Sequence, residues 1–120
     1  MIDEWYSPDQ VAASYHPKLV TWVLRNLQEI RQSGWPVEPR ESVKPSRAKK
    51  LSYEARRENE LAVVARITGI LESSGPGGAI AFLVYAAGVS TLDAAKMLGI
   101  YDEQAKTLLI HAINNVWVRA

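Results

Sequence analysis

No cysteine occurs in the 120 residues, which excludes a disulfide framework, a thiolate nucleophile and a cysteine-ligated zinc site. Histidine is scarce: His16 and His111 are the two in the chain. No carboxylate lies three or four residues from His111, so a helical metal-binding pair is not formed there. His16 precedes Pro17 and reads as a turn residue. Long apolar runs are also missing. The longest, 79–87 (AIAFLVYAA), is far short of the roughly 18 residues a membrane-spanning helix needs, so no membrane partner is expected. The chain opens on MIDEWYSPDQ, with early acids where a secretory signal would have an apolar stretch, and a cytoplasmic protein is expected. No Ser/His/Asp order, metal motif or paired-carboxylate spacing stands out. The glycine cluster Gly75-Pro76-Gly77-Gly78 is not followed by the Gly-Lys-Ser/Thr of a phosphate loop, and no strand precedes it, so it reads as a break between helices. The expectation is a protein that is not an enzyme and carries no cofactor.

What remains is an ordinary globular composition, 48% apolar and 22% charged, in a length that suits one domain or a compact domain with an appended arm. The net charge of +1 hides an uneven distribution. Residues 1–39 hold three bases and five acids, and residues 58–120 hold four bases and six acids. Residues 40–57 hold seven bases against Glu41 and Glu54. Positive charge is thus concentrated in one short segment, which matters more for anion binding than the total does. Within it, Arg40, Lys44, Arg47, Lys49 and Lys50 are the candidate phosphate contacts.

Helical signals recur along the chain. Ser7 can cap the N–H groups of a short helix that Pro8 begins, and Pro17 ends it at His16. A second helix is expected from about Pro17 to Ser33, with Leu19, Val23, Leu27 and Ile30 on one face and Gly34 beyond its end. Three prolines in the twelve residues from Gly34 to Pro45 rule out regular structure, with Trp35 a pinning residue. Helix resumes near Ser46 or Ser52 and reaches about Ser73, charged at first and then apolar, with Leu61, Val64, Thr68 and Leu71 sharing a face. A short apolar helix over 78–87 follows, stopped by Gly88. Trp5, Tyr6, Trp22, Trp35 and Trp117 do not alternate with basic residues and read as packing anchors rather than base-stacking platforms. No segment alternates like a strand. The reading is an all-α chain of about six helices: an N-terminal helical pair (1–39), a basic linker running into a helix (40–57), and a helical core (58–120) ending in a two-helix motif (75–120).

That motif is the most informative stretch. In Val89–Ala112, VSTLDAAKMLGIYDEQAKTLLIHA, Ser90 begins one helix and Asp93 lies three residues on, as in a capping box. Ala95 then stands four residues before Gly99, and a longer apolar helix starts at Tyr101 or Asp102, with Asp102 the candidate cap. Two helices crossing over a short turn need a small residue where they touch and a glycine to reverse the chain. Ala95 and Gly99 meet these needs, and Ala94, Leu98, Ile100, Ala105 and Leu108 or Leu109 fall where apolar residues pin the pair to a supporting helix.

With Ser90, Ala95, Leu98-Gly99-Ile100, Lys106, Leu109 and Ala112, the last third of the chain resembles the C-terminal DNA-binding region of bacterial sigma factors, region four. It is similar also to the small phage transcriptional regulators built on that region. The resemblance implies a helix-turn-helix whose second helix enters the major groove of double-stranded DNA. It implies a role in transcription as a dimer or other homo-oligomer, or with RNA polymerase. By position it assigns groove contacts to Tyr101, Asp102, Glu103, Gln104, Lys106 and Thr107. The residues themselves depart from that pattern. Asp102 and Glu103 repel flanking phosphates, and this helix has no arginine before Arg119. Leu108-Leu109-Ile110 and Val116-Trp117-Val118 are apolar around more than one face, which suits packing on the N-terminal helices or a partner. The alternative expectation is therefore a protein–protein interaction or assembly protein that keeps the helix-turn-helix as a scaffold.

Overall fold

Local chemistry sets the first helix. The Ser7 hydroxyl accepts the Gln10 N–H at 3.1 Å and the Gln10 side chain accepts the Ser7 N–H at 2.8 Å, a reciprocal box that begins α1 (Pro8–Ser14). Tyr15 ends it in the left-handed region at φ 51°. His16 then caps α2 (Pro17–Arg25), its Nδ1 accepting the Lys18 N–H at 3.2 Å. The computed structural model describes residues 4–38 and 53–120. Among them are seven α-helices and no strand, so the chain is all-α.

The helix expected to run unbroken from Pro17 to Ser33 is interrupted. Asn26 takes φ −106° and ψ 12°, and its side-chain amide donates to the Trp22 carbonyl at 2.8 Å, competing with the helical ladder. The chain restarts as α3 (Leu27–Gln32). Val20, Val23, Leu24, Leu27 and Ile30 are buried, so the apolar face continues across the break.

Residues 34–38 pass back along α1 and α2, held by tryptophans. The Trp35 indole donates to the Tyr6 carbonyl at 2.7 Å, Trp5 donates to the Pro36 carbonyl at 2.8 Å, and Trp22 donates to the Glu4 carbonyl at 3.1 Å. Each indole places apolar area on the core while its N–H meets a backbone acceptor. The expected helix start at Ser46 or Ser52 lies outside the described residues.

Over its described length, α4 (Tyr53–Glu72) buries Val63, Val64, Ile67, Thr68, Ile70 and Leu71. The Thr68 hydroxyl is satisfied by the Val64 carbonyl at 2.9 Å. Leu61, expected on that face, is 41% exposed. Near its start, Arg57 donates to the carbonyls of Ile30 and, at 2.7 Å, Arg31, and pairs with Glu60 at 3.2 Å. Those carbonyls lie at the end of α3, where no helical donor reaches them.

The glycine cluster is more than a break. Gly75 takes φ 65°, and α5 starts at once as Pro76–Ala81, two residues earlier than the sequence suggests. Gly77 and Gly78 are buried inside it; a Cβ on Gly78 would stand 1.8 Å from the Leu71 carbonyl oxygen. The helix then widens into a π-helical turn, Phe82–Ala86, with the Ala87 N–H bonded to the Phe82 carbonyl at 2.9 Å. Two further helices follow, α6 (Thr91–Leu98) and α7 (Asp102–Arg119). α7 packs against α2, α4, α5 and α6, and one cluster of buried side chains runs from Val11 through Ile67 and Ile80 to Val116.

Candidate nucleic-acid interface

The α6–turn–α7 unit is built from small residues. Ser90 caps α6, its hydroxyl accepting the Asp93 N–H at 3.1 Å. Gly99 closes the helix at φ 70°, and the Ile100 N–H returns to the Ala95 carbonyl at 3.0 Å, the bond pattern of a glycine-terminated helix. Ala94, Ala95 and Ala105 are 0%, 1% and 0% exposed, which lets the two helices approach to the distance of their methyl groups. Leu109, Ala112, Ile113 and Val116 continue the buried side of α7. Leu98 departs from the expected pinning role: it is 40% exposed, because the inward positions of α6 are taken by the two alanines and Leu98 lies at the helix's last turn.

The first turns of α7 hold together all six residues assigned to the groove. Tyr101, at 83% exposed, is the cap residue rather than Asp102, and its N–H meets the Gln104 side-chain oxygen at 3.4 Å. Asp102 instead sits in the first turn, where a carboxylate favours the helix dipole, and its Oδ2 pairs with the Lys106 ammonium at 3.1 Å. Its other oxygen, Oδ1, is buried with no hydrogen-bond partner. Glu103 and Lys106 are exposed, and the exposed Thr107 donates back to the Glu103 carbonyl at 3.0 Å. The arrangement offers hydroxyl, amide and charged groups on one end of one helix, with part of its charge neutralised internally.

Glu103, Thr107, Ile110 and Asn114 recur at intervals of four, three and four, and all are exposed, so they form one stripe along α7. By helix rise it extends over roughly 17 Å. The sequence does not reveal what borders it. The start of α2 lies against the far end: Pro17, Lys18 and Thr21 line a cleft of about 240 Å³ with Tyr85, Ile110 and Asn114, and the His16 and Trp117 rings meet at 5.1 Å. Arg25, at the end of α2, stands over the Tyr85 ring at 5.6 Å. The packing on N-terminal helices that the apolar residues of α7 suggested is thus present, and it still leaves Ile110 60% and Val118 80% exposed.

Arg40, Lys44, Arg47, Lys49 and Lys50, the candidate phosphate contacts of the basic segment, lie outside the described residues. Arg57, the last base of that segment, is committed to the end of α3. No helix among the described residues is long and apolar enough to cross a membrane. No family model matches the chain, and no curated protein or solved structure is found similar to it.

Proposed function

We propose that the chain is a DNA-binding transcriptional regulator of the sigma-region-four-like helix-turn-helix type, of phage or bacterial kind, acting in the cytoplasm. The observation that carries this reading is the α6–turn–α7 unit. A buried alanine pair and a left-handed Gly99 join two helices, and the second presents Tyr101, Glu103, Gln104, Lys106 and Thr107 to solvent. In this reading α7 enters the major groove of duplex DNA and the Arg40–Lys50 cations hold phosphates, a division between reading and positioning. The regulator acts as a homo-oligomer or together with RNA polymerase.

The test is retention of a mixed pool of duplex DNA as salt is raised. Affinity should fall steeply with salt, and Lys49→Ala with Lys50→Ala should weaken it and flatten the dependence by about two contacts' worth. No retention at the lowest salt would remove the proposal. A second reading, an assembly protein using the motif as scaffold, is favoured by the apolar side chains around the same unit: Leu92, Met97 and Ile110 are 50%, 65% and 60% exposed. DNA-independent self-association abolished by Met97→Glu would support it.

A further inference from the structure

The second motif helix lacks the cations that phosphate binding needs. Through its first two turns it has Lys106 alone, and that ammonium is paired with Asp102. The N-terminal helix α2 has the opposite character. It carries Lys18 and Arg25 and no acid at all. Both side chains are exposed, and among the described residues neither has a carboxylate within ion-pair distance.

Packing places these two cations beside the α7 stripe. Lys18 shares a cleft with Ile110 and Asn114, the far members of the stripe that starts at Glu103 and Thr107. Arg25 is held over the ring of Tyr85, which lines the same cleft, and its guanidinium has no acidic partner among the described residues. Glu103 is the one acid on the stripe itself. The α2 edge is therefore cationic, next to a mostly uncharged polar and apolar strip longer than the roughly 12 Å width of the major groove.

We infer that Lys18 and Arg25 are phosphate-contacting residues, holding the backbone of a duplex seated along the exposed stripe of α7. The inference rests on the DNA-binding reading above and adds to it the α2 flank, distinct in sequence from the Arg40–Lys50 segment. Contacts to phosphates strengthen binding to all sequences alike and act through counterion release, with each contact contributing about 0.9 to the slope of log affinity against log salt on B-DNA.

The experiment compares the full-length protein with its Lys18→Gln/Arg25→Gln variant, using one mixed-sequence 20-base-pair duplex across a salt series, with the helical circular dichroism of each protein recorded alongside. The expected result is a slope shallower by about 2, and an affinity lower by on the order of 10- to 100-fold at 0.1 M salt, in the folded variant. An unchanged slope in the variant, with the parent protein binding, overturns the inference and leaves the DNA reading standing. If the parent binds no duplex at the lowest salt, the DNA reading fails and this inference with it. Should the double variant lose its helical signal, Lys18→Gln alone decides: a slope shallower by about 1 supports the assignment, and an unchanged slope overturns it.

Discussion

A Cβ on Gly78 would stand 1.8 Å from the Leu71 carbonyl oxygen, and one on Gly77 would stand 2.6 Å from that of Leu108. Both neighbours are backbone, so neither can move aside as the end of a flexible side chain would. Gly78→Ala should therefore force the start of α5 away from the end of α4 and destabilise the protein by about 3 kcal/mol, the upper part of the usual overpacking range. Gly69, in the exposed face of α4, has nothing within 4 Å of where a Cβ would stand. Gly69→Ala should instead stabilise by about 1 kcal/mol, through helix propensity alone. Thermal melts of the two variants test this contrast, and equal melting temperatures would refute the close approach. In the sequence, Gly75–Gly78 is legible as punctuation because glycine and proline act on their own backbone. That Gly77 and Gly78 must lack a side chain is a property of α4 and α7, which the local sequence does not contain.

Elements whose boundaries rest on local chemistry were legible for the same reason. Ser7, Pro8, Ser90 and Gly99 all perform at the helix ends the roles their residue types suggest. Asn26 and the π-helical turn at Phe82–Ala86 were not, since each depends on a competition between near-equal hydrogen-bond patterns that packing decides. The end of α3 shows how such competitions are settled at a distance. Its carbonyls at Ile30 and Arg31 accept from Arg57, about one helix away in space and more than twenty-five residues away in sequence. Arg57→Gln shortens the reach and removes the charge, leaving the partly buried Ile30 carbonyl and the exposed Arg31 carbonyl to water. The expected cost is about 1–2 kcal/mol in denaturant unfolding, with faster amide exchange in α3 than in α5. An unchanged midpoint would mean that solvent caps α3 equally well.

At the scale of the whole molecule, charge and apolar pattern in the sequence suggested segments, while the buried side chains form one cluster from Val11 to Val116. α1 and α3 pack on α4, and α2 packs on α7, so N-terminal residues complete the same interior that supports the helix-turn-helix. Unfolding should accordingly be a single transition, with calorimetric and van't Hoff enthalpies equal. Two separated transitions would show that the N-terminal helices form a unit of their own. The candidate interface was half legible: Tyr101–Thr107 follows from the turn at Gly99, but the cationic edge at Lys18 and Arg25 exists only because α2 docks on α7. No periodicity in α2 announces its neighbour.

The tryptophans give this assembly two separate optical signatures. Trp22 and Trp35 lie 5.6 Å apart with Tyr6 edge-on to Trp22 at 5.5 Å, a rigid chromophore group whose near-ultraviolet circular dichroism reports whether residues 34–38 are seated on α2. Trp117, 47% exposed, has its ring 5.1 Å from that of His16, the cap residue of α2, and so reports on the junction of α2 with α7. A ligand that engages the α7 stripe beside Lys18 would alter the emission of Trp117 and leave the dichroism of the Trp22–Trp35 group unchanged, so the protein carries its own label for that surface.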